Sequence, residues 1–515
     1  MSADRQQAAR LRAVTAGVLA MLGGLAAGHL VAGLVAPGAS PALAVGSRLI
    51  DLAPTPVKDW AVATFGTADK PILVTGVVLV TLGVGAVTGL VAVRRRGLIW
   101  AVPAVLAVLG GIAATSAASG STVSTTLAAL PSVVAGIVSG TVLGWLLPRA
   151  PLLPSAPGHP DGAPRAMPRR AFLAGAGVVG GSSAVAVVTG QWFADRARVA
   201  TDVVLPKASP ALRALPAGFD VPGLSPWVTP ASDFYRVDVN LLVPGVDVGT
   251  WRLDIDGLVE RPFSLSWDEL TALPVIERDI TLNCVSNEVG GPYIGGARWL
   301  GVRTRDLLER AGVRPEADQV LSRSVDGFTV STPVQALLDE RDALVAIGIN
   351  GRPLPAEHGF PARLITPGLY GYVGATKWLT RMTLTTYAQQ AAYWTARGWA
   401  ERGPVKPSSR IDVPRHLSHL PAGTVTVAGT AWAQQIGVAR VQVRIDEAEW
   451  QDATIGPDAG IDYWRQWRFN WPATPGQHTL ESRLVDDRGT PQSEQVAPPF
   501  PDGASGLHRI TVTIG

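Results

Sequence analysis

Residues 281–291, Thr-Leu-Asn-Cys-Val-Ser-Asn-Glu-Val-Gly-Gly, contain Cys284, the only cysteine among 515 residues. A lone cysteine cannot form an intramolecular disulfide. Its thiol is therefore either a buried structural side chain or a group that takes part in chemistry. A strand-like apolar run, Val275 to Leu282, precedes it, and two glycines follow. The pattern predicts a thiol at the junction of a strand and a loop, where scaffolds often hold reactive groups. Spacing alone gives the two interpretations equal weight.

Further motifs accompany this cysteine in the second half of the chain. They are Phe234-Tyr235-Arg236, Ser-Val-Asp326-Gly-Phe, His358-Gly-Phe-Pro-Ala-Arg363 and Gly374-Ala375-Thr376-Lys377-Trp378. Together with the cysteine segment they resemble, in the same order, the cofactor-binding segments of the sulfite oxidase family of molybdopterin enzymes. The resemblance extends from about Asp233 to the C-terminus, more than half of the chain.

The resemblance implies a cofactor and a metal ligand. In that family one cysteine thiolate binds molybdenum and the pyranopterin dithiolene supplies the other sulfurs, so Cys284 is the expected metal ligand. A soft thiolate suits such a metal. The implied contacts of Mo-molybdopterin are Phe234, Tyr235, Arg236, Asp326, His358, Arg363, Ala375, Thr376 and Lys377.

The expected contacts also make physical sense for an anionic phosphate. A bidentate arginine such as Arg363, a lysine point charge such as Lys377 and loop N–H groups all stabilise it. Taken singly, His358 would more often be a capping or core histidine, and the two cations would be solvated charges. Their common order and spacing favour the cofactor-binding interpretation.

Two departures from the family pattern concern the substrate. The family has a substrate-binding arginine five residues after the cysteine, and here that position is Val289. The active-site tyrosine of the family aligns best with Trp399. Losing a cation removes a charge-assisted contact, so sulfite is a doubtful substrate. Asn287 and Trp399 are the other candidates for the catalytic site. Tyr293 and Arg298 are either pocket residues or packing and surface residues.

The first 200 residues have a different composition, rich in Ala, Gly, Val and Leu. Five apolar runs there are each near the 20 residues that cross a bilayer, so they predict membrane spans rather than buried core helices. The runs are Leu11–Ala36, Pro71–Val93, Leu98–Ala118, Leu127–Leu147 and Ala171–Trp192. The mixed residues 37–70 are expected along the surface, and His29 is expected to pack between helices.

Basic residues predict the orientation of these spans. They cluster before the first span, between the second and third, and between the fourth and fifth, which places one common side in the cytoplasm. They are Arg5, Arg10, Arg12, Arg94, Arg95, Arg96, Arg149, Arg165, Arg169 and Arg170. Everything after the fifth span is then outside the cytoplasm. The net charge of +3 is small and says little about partners, but the position of basic clusters beside apolar runs favours membrane topology over nucleic-acid binding.

The stretch Arg169-Arg170-Ala171-Phe172-Leu173 resembles a twin-arginine export signal placed inside the chain, before the fifth span. The alternative is an ordinary charged flank of a membrane helix. The export interpretation suits a domain that must fold around a cytoplasmic cofactor before it crosses the membrane. The Pro/Gly/Ala-rich stretch before the pair is predicted to be a flexible cytoplasmic linker.

The whole pattern predicts an N-terminal α-helical membrane bundle of five spans, an α+β sulfite-oxidase-like molybdopterin domain and a C-terminal all-β immunoglobulin-like sandwich. The α+β domain is expected to mix strands such as Ala343–Ile349 with helices such as Thr304–Ala311, and Asn350-Gly351 is expected to form a turn. Closely spaced alternating strands after residue 410, among them Val438–Ile445 and His508–Ile514, predict the sandwich, which resembles the family's dimerisation domain. The predicted boundaries are 1–147 for four spans, 148–170 for the linker, 171–192 for the fifth span, 200–405 for the catalytic domain and 410–515 for the sandwich.

The expected function is that of a membrane-anchored, extracytoplasmic molybdopterin oxidoreductase that moves an oxygen atom or two electrons on a small substrate. Since no Cys-x-x-Cys-His haem motif is present, electrons are expected to pass to a separate partner or a quinone. One alternative is a reductase of sulfoxides, such as oxidised methionine in envelope proteins. Another is a binding or sensing protein without catalysis. A homodimer through the C-terminal domain is a further expectation.

Overall fold

The computed structural model describes residues 3–65, 68–118, 124–147, 168–196 and 203–515. The chain divides into two compact units. The first contains residues 1–199 and 239–245, and the second contains residues 200–238 and 246–515. The predicted linker, from residue 148 to residue 167, lies outside the described residues.

The first unit is helical. Its helices are α1 (Ala3–Val35), α2 (Pro41–Leu52), α3 (Thr55–Phe65), α4 (Asp69–Ala92), α5 (Leu98–Ala118), α6 (Thr125–Leu146) and α7 (Arg169–Arg196). Five of them, α1, α4, α5, α6 and α7, are long and apolar enough to cross a membrane. The prediction of five apolar helices is therefore confirmed. Helix α1 begins at Ala3, eight residues before the expected run.

Small residues set how closely these helices approach one another. A side chain at Gly17 of α1 would overlap the backbone of Gly85 in α4, and one at Gly89 would overlap the backbone of Ala13. Such backbone contact between helices is typical of small residues in membrane proteins. Helix α2, in the stretch expected along the surface, packs one side against α5, where Ala44 is fully buried, and leaves Leu49 exposed.

The second unit begins with irregular chain up to residue 238, followed after residue 246 by a mixed α+β region. Its strands are β1 (Arg252–Gly257), β2 (Phe263–Ser266), β3 (Val275–Asn283), β4 (Ile294–Arg303), β5 (Gln319–Ser324), β6 (Thr329–Pro333), β7 (Leu344–Ile349), β8 (Arg352–Pro353), β9 (Arg363–Ile365) and β10 (Leu379–Thr385). Its helices are α8 (Trp267–Thr271), α9 (Thr304–Ala311), α10 (Val334–Leu338) and α11 (Gly371–Gly374).

Two sheets organise this α+β region. One has the order β2-β1-β10-β5-β6, and the other has the order β3-β4-β7-β8 with β9 paired to β7. The second sheet carries the site. Its strand β3 ends at Asn283, immediately before Cys284, and its strand β9 begins at Arg363. The sheet packs on an apolar core that includes Trp299 and Phe360.

The C-terminal region is all β, as predicted. Its strands are β11 (Ser408–Val413), β12 (His419–Leu420), β13 (Gly423–Trp432), β14 (Val438–Ile445), β15 (Gln451–Asp452), β16 (Thr454–Ile455), β17 (Arg465–Ala473), β18 (Gly476–Asp486) and β19 (His508–Ile514). They form the sheets β11-β13-β17-β16 and β12-β19-β18-β14-β15. Both sheets bury apolar side chains in one core, for example Trp467 from the first and Val441 from the second, so the region is a sandwich.

Candidate active site

The loop after β3 places Cys284 and closes on itself through short hydrogen bonds. The Cys284 N–H donates to the Tyr293 carbonyl at 3.0 Å, and the Asn287 N–H donates to the Cys284 carbonyl at 3.1 Å. The Asn287 side-chain oxygen accepts from the Tyr293 N–H at 2.8 Å. Two of the sequence-based candidates, Asn287 and Tyr293, are therefore braces of the cysteine loop. This loop, residues 284–293, is called the Cys284 loop below.

The surroundings of the thiol are mostly neutral. Burial raises the pKa of the part-buried Cys284 thiol, and hydrogen bonding with Ser286 opposes that shift. Tyr235 and Tyr370 lie close enough to interact electrostatically with it. Burial raises the pKa of Tyr370 to about 12 and that of Tyr235 well above its usual value, so both phenols are neutral at pH 7.

Two cationic side chains, Arg236 and Lys377, lie on irregular segments of the chain and share one carboxylate. Arg236 Nε and Lys377 Nζ contact the same carboxylate oxygen, Asp238 Oδ2, at 2.8 and 2.7 Å. The Asp238 side chain is 5% exposed. Burial lowers the pKa of Lys377 to about 8, against the attraction of Asp238 and with the repulsion of Arg363 and Arg236. One carboxylate thus serves two cations and leaves an excess of positive charge.

Arg363 is the most deeply placed cation of this group, since it is only 4% exposed. Its Nη1 donates to the His358 carbonyl at 3.0 Å, and its guanidinium lies 5.2 Å from the ring centroid of Trp299. Burial lowers its pKa to about 10. Burial, with repulsion from Arg363 and Lys377, lowers the pKa of His358 to about 4. The imidazole is therefore neutral at pH 7, and its Nε2 lies 3.0 Å from the Ala231 carbonyl.

In the part of the chain that the structure describes, the charge of Arg363 has no anionic partner. Its Nε is buried and has no hydrogen-bond partner, and among residues 203–515 no carboxylate lies within 4.0 Å of its nitrogens. A buried guanidinium in that state is costly unless an anion completes it. Arg236, Lys377 and Arg363 therefore fit the phosphate of a pyranopterin, and the lone thiol fits its metal. The residues present suit the molybdenum cofactor.

The backbone shapes this cradle through positions that bring loops into contact. Gly359 has φ +107°, and the backbone of Lys377 passes where its side chain would be. The Leu364 N–H donates to the Thr376 carbonyl at 2.9 Å, and the Thr376 hydroxyl lies 2.5 Å from that of Ser322. Thr376 is thus part of the frame.

The remaining predicted residues occupy several environments. Ala375 joins Phe234 in the apolar core beneath the site. Asp326 lies in the turn between β5 and β6, where its Oδ1 accepts from the Phe328 N–H at 3.1 Å. Arg298 is held by an ion pair of 2.8 Å with Asp279.

Trp399 belongs to an aromatic cluster that borders the Cys284 loop. The cluster also contains Val285, the neighbour of the cysteine, and Tyr370. The ring of Trp399 lies 5.3 Å from that of Phe500, edge to face. Its indole N–H is buried without a partner. The structure thus brings Trp399 to the same side as the cysteine loop.

Comparisons with known proteins agree with this site. A family model described as "Oxidoreductase molybdopterin binding domain" matches residues 240–394. The uncharacterized oxidoreductase YuiH of Bacillus subtilis (strain 168) is 36% identical over 157 residues, which are 30% of this chain and 76% of YuiH. The chain belongs to the sulfite oxidase family of molybdopterin-binding oxidoreductases. Membership confirms the predicted family and the molybdenum cofactor that it implies.

Other relatives in the family have different named activities. Mitochondrial sulfite oxidase of Homo sapiens is 30% identical over 325 residues, 53% of this chain and 58% of that protein. Nitrate reductase (NADH) 1 of Oryza sativa subsp. japonica is 34% identical over 187 residues, 31% of this chain and 20% of that protein. The chain thus covers somewhat more than half of the sulfite oxidase, and the family alone does not determine a substrate.

Sequence reasoning missed two residues of the site. Asp238 pairs with both Arg236 and Lys377. Its position two residues after Arg236 was the one feature of the sequence that could have indicated this pairing. Tyr370 is 4% exposed, and its hydroxyl accepts from the Lys406 N–H at 3.3 Å. It stands in Gly-Leu-Tyr-Gly-Tyr, a glycine-flanked aromatic motif that was visible in the sequence.

Proposed function

We propose that this protein is a membrane-anchored molybdopterin oxidoreductase whose catalytic unit lies outside the cytoplasm and that transfers an oxygen atom or an electron pair to or from a small substrate. The observation that supports it most is the unpaired buried guanidinium of Arg363 beside Lys377 and Arg236. A protein that only binds a partner through its sandwich has no reason to keep this costly charge.

The residues have distinct tasks in this proposal. The bound cofactor supplies the two-electron redox chemistry and the oxygen-atom transfer. Arg363, Lys377 and Arg236 hold its phosphate, and Asp238 orients the last two. His358 is neutral at pH 7 and acts as a hydrogen-bonding group rather than as a fourth cation. Cys284 is a metal ligand and not a nucleophile.

The neutral surroundings of Cys284 favour a neutral substrate over an oxyanion. Val289 replaces the family's substrate-binding arginine and is half-buried. The residues that neighbour the thiol, Tyr235 and Tyr370, are uncharged at pH 7. Aromatic side chains offer apolar contact and hydroxyl hydrogen bonds rather than charge. A small sulfoxide has that character, so a sulfoxide reductase is the second candidate function.

The test measures both the cofactor content of the purified protein and its enzymatic turnover. Full-length protein is purified in detergent from a host that makes the cofactor, and its molybdenum and pterin contents are measured. We expect about one of each per chain, and turnover of at least one substrate with a dye as electron acceptor or donor. Protein that lacks both molybdenum and pterin would contradict the proposal and favour a binding role. Turnover of a sulfoxide with a reduced dye, without sulfite oxidation, would support the second candidate.

The proposed anchoring rests on helix length and charge. The five apolar helices α1, α4, α5, α6 and α7 have the length of membrane spans. The loop between the first two spans carries Arg48, Lys58 and Lys70 but also three aspartates, so its charge is balanced. The loop between the second and third spans has three consecutive arginines and no acid. This asymmetry supports a cytoplasmic N-terminus and an extracytoplasmic catalytic unit.

The pair Arg169 and Arg170 begins α7, and both side chains are exposed. We expect Arg169→Lys with Arg170→Lys, which keeps both charges, to leave the catalytic unit in the cytoplasm if the pair is an export signal. Protease protection in membrane vesicles measures this. If the C-terminal region of the double variant is exposed outside the cytoplasm at the normal level, the pair is an ordinary charged flank of the membrane helix. The oxidoreductase proposal would not be affected.

A further inference from the structure

We propose that the C-terminal sandwich positions the metal-ligand cysteine within the same chain, chiefly through Arg410, which acts as a positioning residue for the Cys284 loop. The proposal rests on the proposed role of Cys284 as metal ligand, but its physical content is the order of that loop. It gives the sandwich a role in the active site that is separate from dimerisation.

The first contact is made by Arg410 on β11. Its side chain is 8% exposed. Its Nη1 donates to the carbonyl of Gly291 in the Cys284 loop at 2.7 Å, and its Nη2 donates to the Ser225 hydroxyl at 2.8 Å. Its Nε contacts Asp412 Oδ1 at 2.6 Å. Two donors are thus directed to two other segments and the third to a carboxylate on the same strand, and the fixed fork of a guanidinium makes such a bridge rigid.

The second contact is made by His508, the first residue of β19. A side chain at Gly290 would overlap the His508 ring, so the imidazole packs directly on the loop backbone. Its Nδ1 accepts from the Ile411 N–H at 3.0 Å, which fixes the ring. Burial lowers the pKa of His508 to about 4, with repulsion from Arg410 and His416 and attraction from Asp412. The ring is therefore neutral at pH 7 and packs on the loop without adding a charge.

The third contact holds the strand that leads into the loop. Thr281 of β3 donates its N–H to the Asp462 carbonyl at 2.9 Å, and its hydroxyl accepts from the Trp464 N–H at 2.9 Å. Its carbonyl accepts from the Gln434 side chain at 2.7 Å. All three partners belong to the sandwich.

The three contacts from the sandwich hold the chain both before and after Cys284. Thr281 lies three residues before the thiol, and Gly291 lies seven residues after it. Hydrogen bonds within the loop complete its closure, but they are local and do not fix its place relative to the cofactor cradle. A metal ligand has to be held within a fraction of an ångström of its productive position by such supporting contacts. The sandwich supplies them.

The single cysteine makes the test direct. Full-length protein is prepared in detergent from a host unable to make the cofactor, and the rate at which a thiol reagent labels Cys284 is measured at pH 8. Arg410→Lys keeps a positive charge near Asp412 but loses the fork to Gly291 and Ser225. The bond from Arg410 to the Gly291 carbonyl is the one that holds the Cys284 loop. Because one lost charge-assisted bond changes an opening equilibrium by about ten-fold or more, we expect labelling to accelerate by at least about ten-fold. The lost bonds also lower the thermal midpoint of the variant, which should stay well above the labelling temperature.

Arg465→Lys is the matched control. Arg465 is 13% exposed, donates to the Gly456 carbonyl at 2.7 Å and pairs with Asp458 at 3.0 Å, and neither partner belongs to the Cys284 loop. Its variant should label at the native rate. In cofactor-loaded protein, Arg410→Lys should also change the thiolate-to-metal absorption, whereas Arg465→Lys should not.

The outcomes separate this proposal from the proposed function. Native labelling rates in Arg410→Lys would overturn it, whatever the enzyme activity. Equal acceleration in the control would also overturn it, because the effect would then be general loosening of the sandwich. If Arg410→Lys fails to fold, Gln434→Met, which removes the donor to the Thr281 carbonyl at nearly constant volume, decides by the same labelling criterion. Absence of molybdenum in native protein would contradict the proposed function but leave the labelling result valid.

Discussion

Replacing Arg363 by methionine should affect the empty and the loaded protein in opposite directions. The guanidinium is 4% exposed, has no carboxylate partner among the described residues, and has its pKa lowered from its ordinary value to about 10 by burial. A shift of that size corresponds to about 3 kcal/mol against the charged form in the folded state. Methionine removes this cost and fills similar space with an adaptable apolar chain.

The gain is reduced by the contacts that arginine makes. Losing the hydrogen bond to the His358 carbonyl costs about 1 kcal/mol, and losing the contact with the Trp299 ring costs about 1 kcal/mol. The net expectation for cofactor-free Arg363→Met is a gain of about 1 kcal/mol. In the loaded protein, one lost charge-assisted bond to the phosphate costs about 1.5 to 3 kcal/mol, or about ten- to a hundred-fold in cofactor affinity.

The assay uses the lone thiol as a reporter. A dye that fluoresces on reaction with Cys284 follows thermal unfolding of the full-length protein in detergent, with and without cofactor, and molybdenum retention is measured after gel filtration. The control is Arg444→Met, which breaks a pair with the 5% exposed Glu481 and should destabilise both forms. A lower midpoint for cofactor-free Arg363→Met than for the native chain, or unchanged molybdenum retention, would refute the reasoning.

Three further predictions follow from single residues. Cys284→Ser should keep the circular dichroism of the native protein and lose dye-linked turnover, because an alkoxide is a harder ligand; full turnover in a metallated variant would remove the ligand assignment. Val289→Arg should tighten binding of a small oxyanion, measured by calorimetry at low salt; no gain would mean that residue 289 does not face the substrate. His508 has a folded pKa of about 4, so the unfolded chain takes up its proton first and stability falls from pH 6.5 to pH 4 by at most about 3 kcal/mol. His508→Asn, which keeps an acceptor for Ile411, should flatten that part of the pH dependence of the tryptophan-monitored melting midpoint, and an unchanged slope would count against the shift.

Local patterns predicted the elements whose residues alternate or repeat cleanly. The helix at Thr304–Ala311 and the strands at Val438–Ile445 and His508–Ile514 have the expected bounds. In each, apolar residues recur with the period of the helix or strand, so the sequence predicts which face packs against the core. The turn at Asn350-Gly351 was equally visible, and both residues have positive φ, 51° and 76°.

Strand β4 was not predicted, because the contacts that favour it come from residues far away in the chain. Gly295 and Gly296 stand near its start, and glycine in a strand lowers any prediction from propensity. A side chain at Gly295 would overlap the Phe234 ring, and one at Gly296 would overlap Tyr463 and Trp464. These aromatic residues come from segments far away in the chain. The glycines permit close packing, which becomes evident only in three dimensions.

The proposed cofactor contacts were accessible through motifs, whereas the proposed support of the cysteine was not. Arg363 and Lys377 stand in segments that resemble a known family, so their roles were named before their positions. Arg410 and His508 lie more than a hundred residues after Cys284 and have no motif. Their roles depend on how the sandwich packs against β3 and the following loop. Such long-range support leaves no periodic pattern in a single sequence.

The distribution of charge limits what the site can select. Arg236, Lys377 and Arg363 gather around the position proposed for the phosphate, where two of them share Asp238. The aromatic cluster near the thiol, with Tyr370 and Trp399, adds no charge at pH 7. In the proposed assignment, electrostatic attraction holds the cofactor and little remains to attract an anionic substrate at Val289. Discrimination among substrates would then come from shape, apolar contact and hydroxyl hydrogen bonds, which suit neutral molecules better than oxyanions.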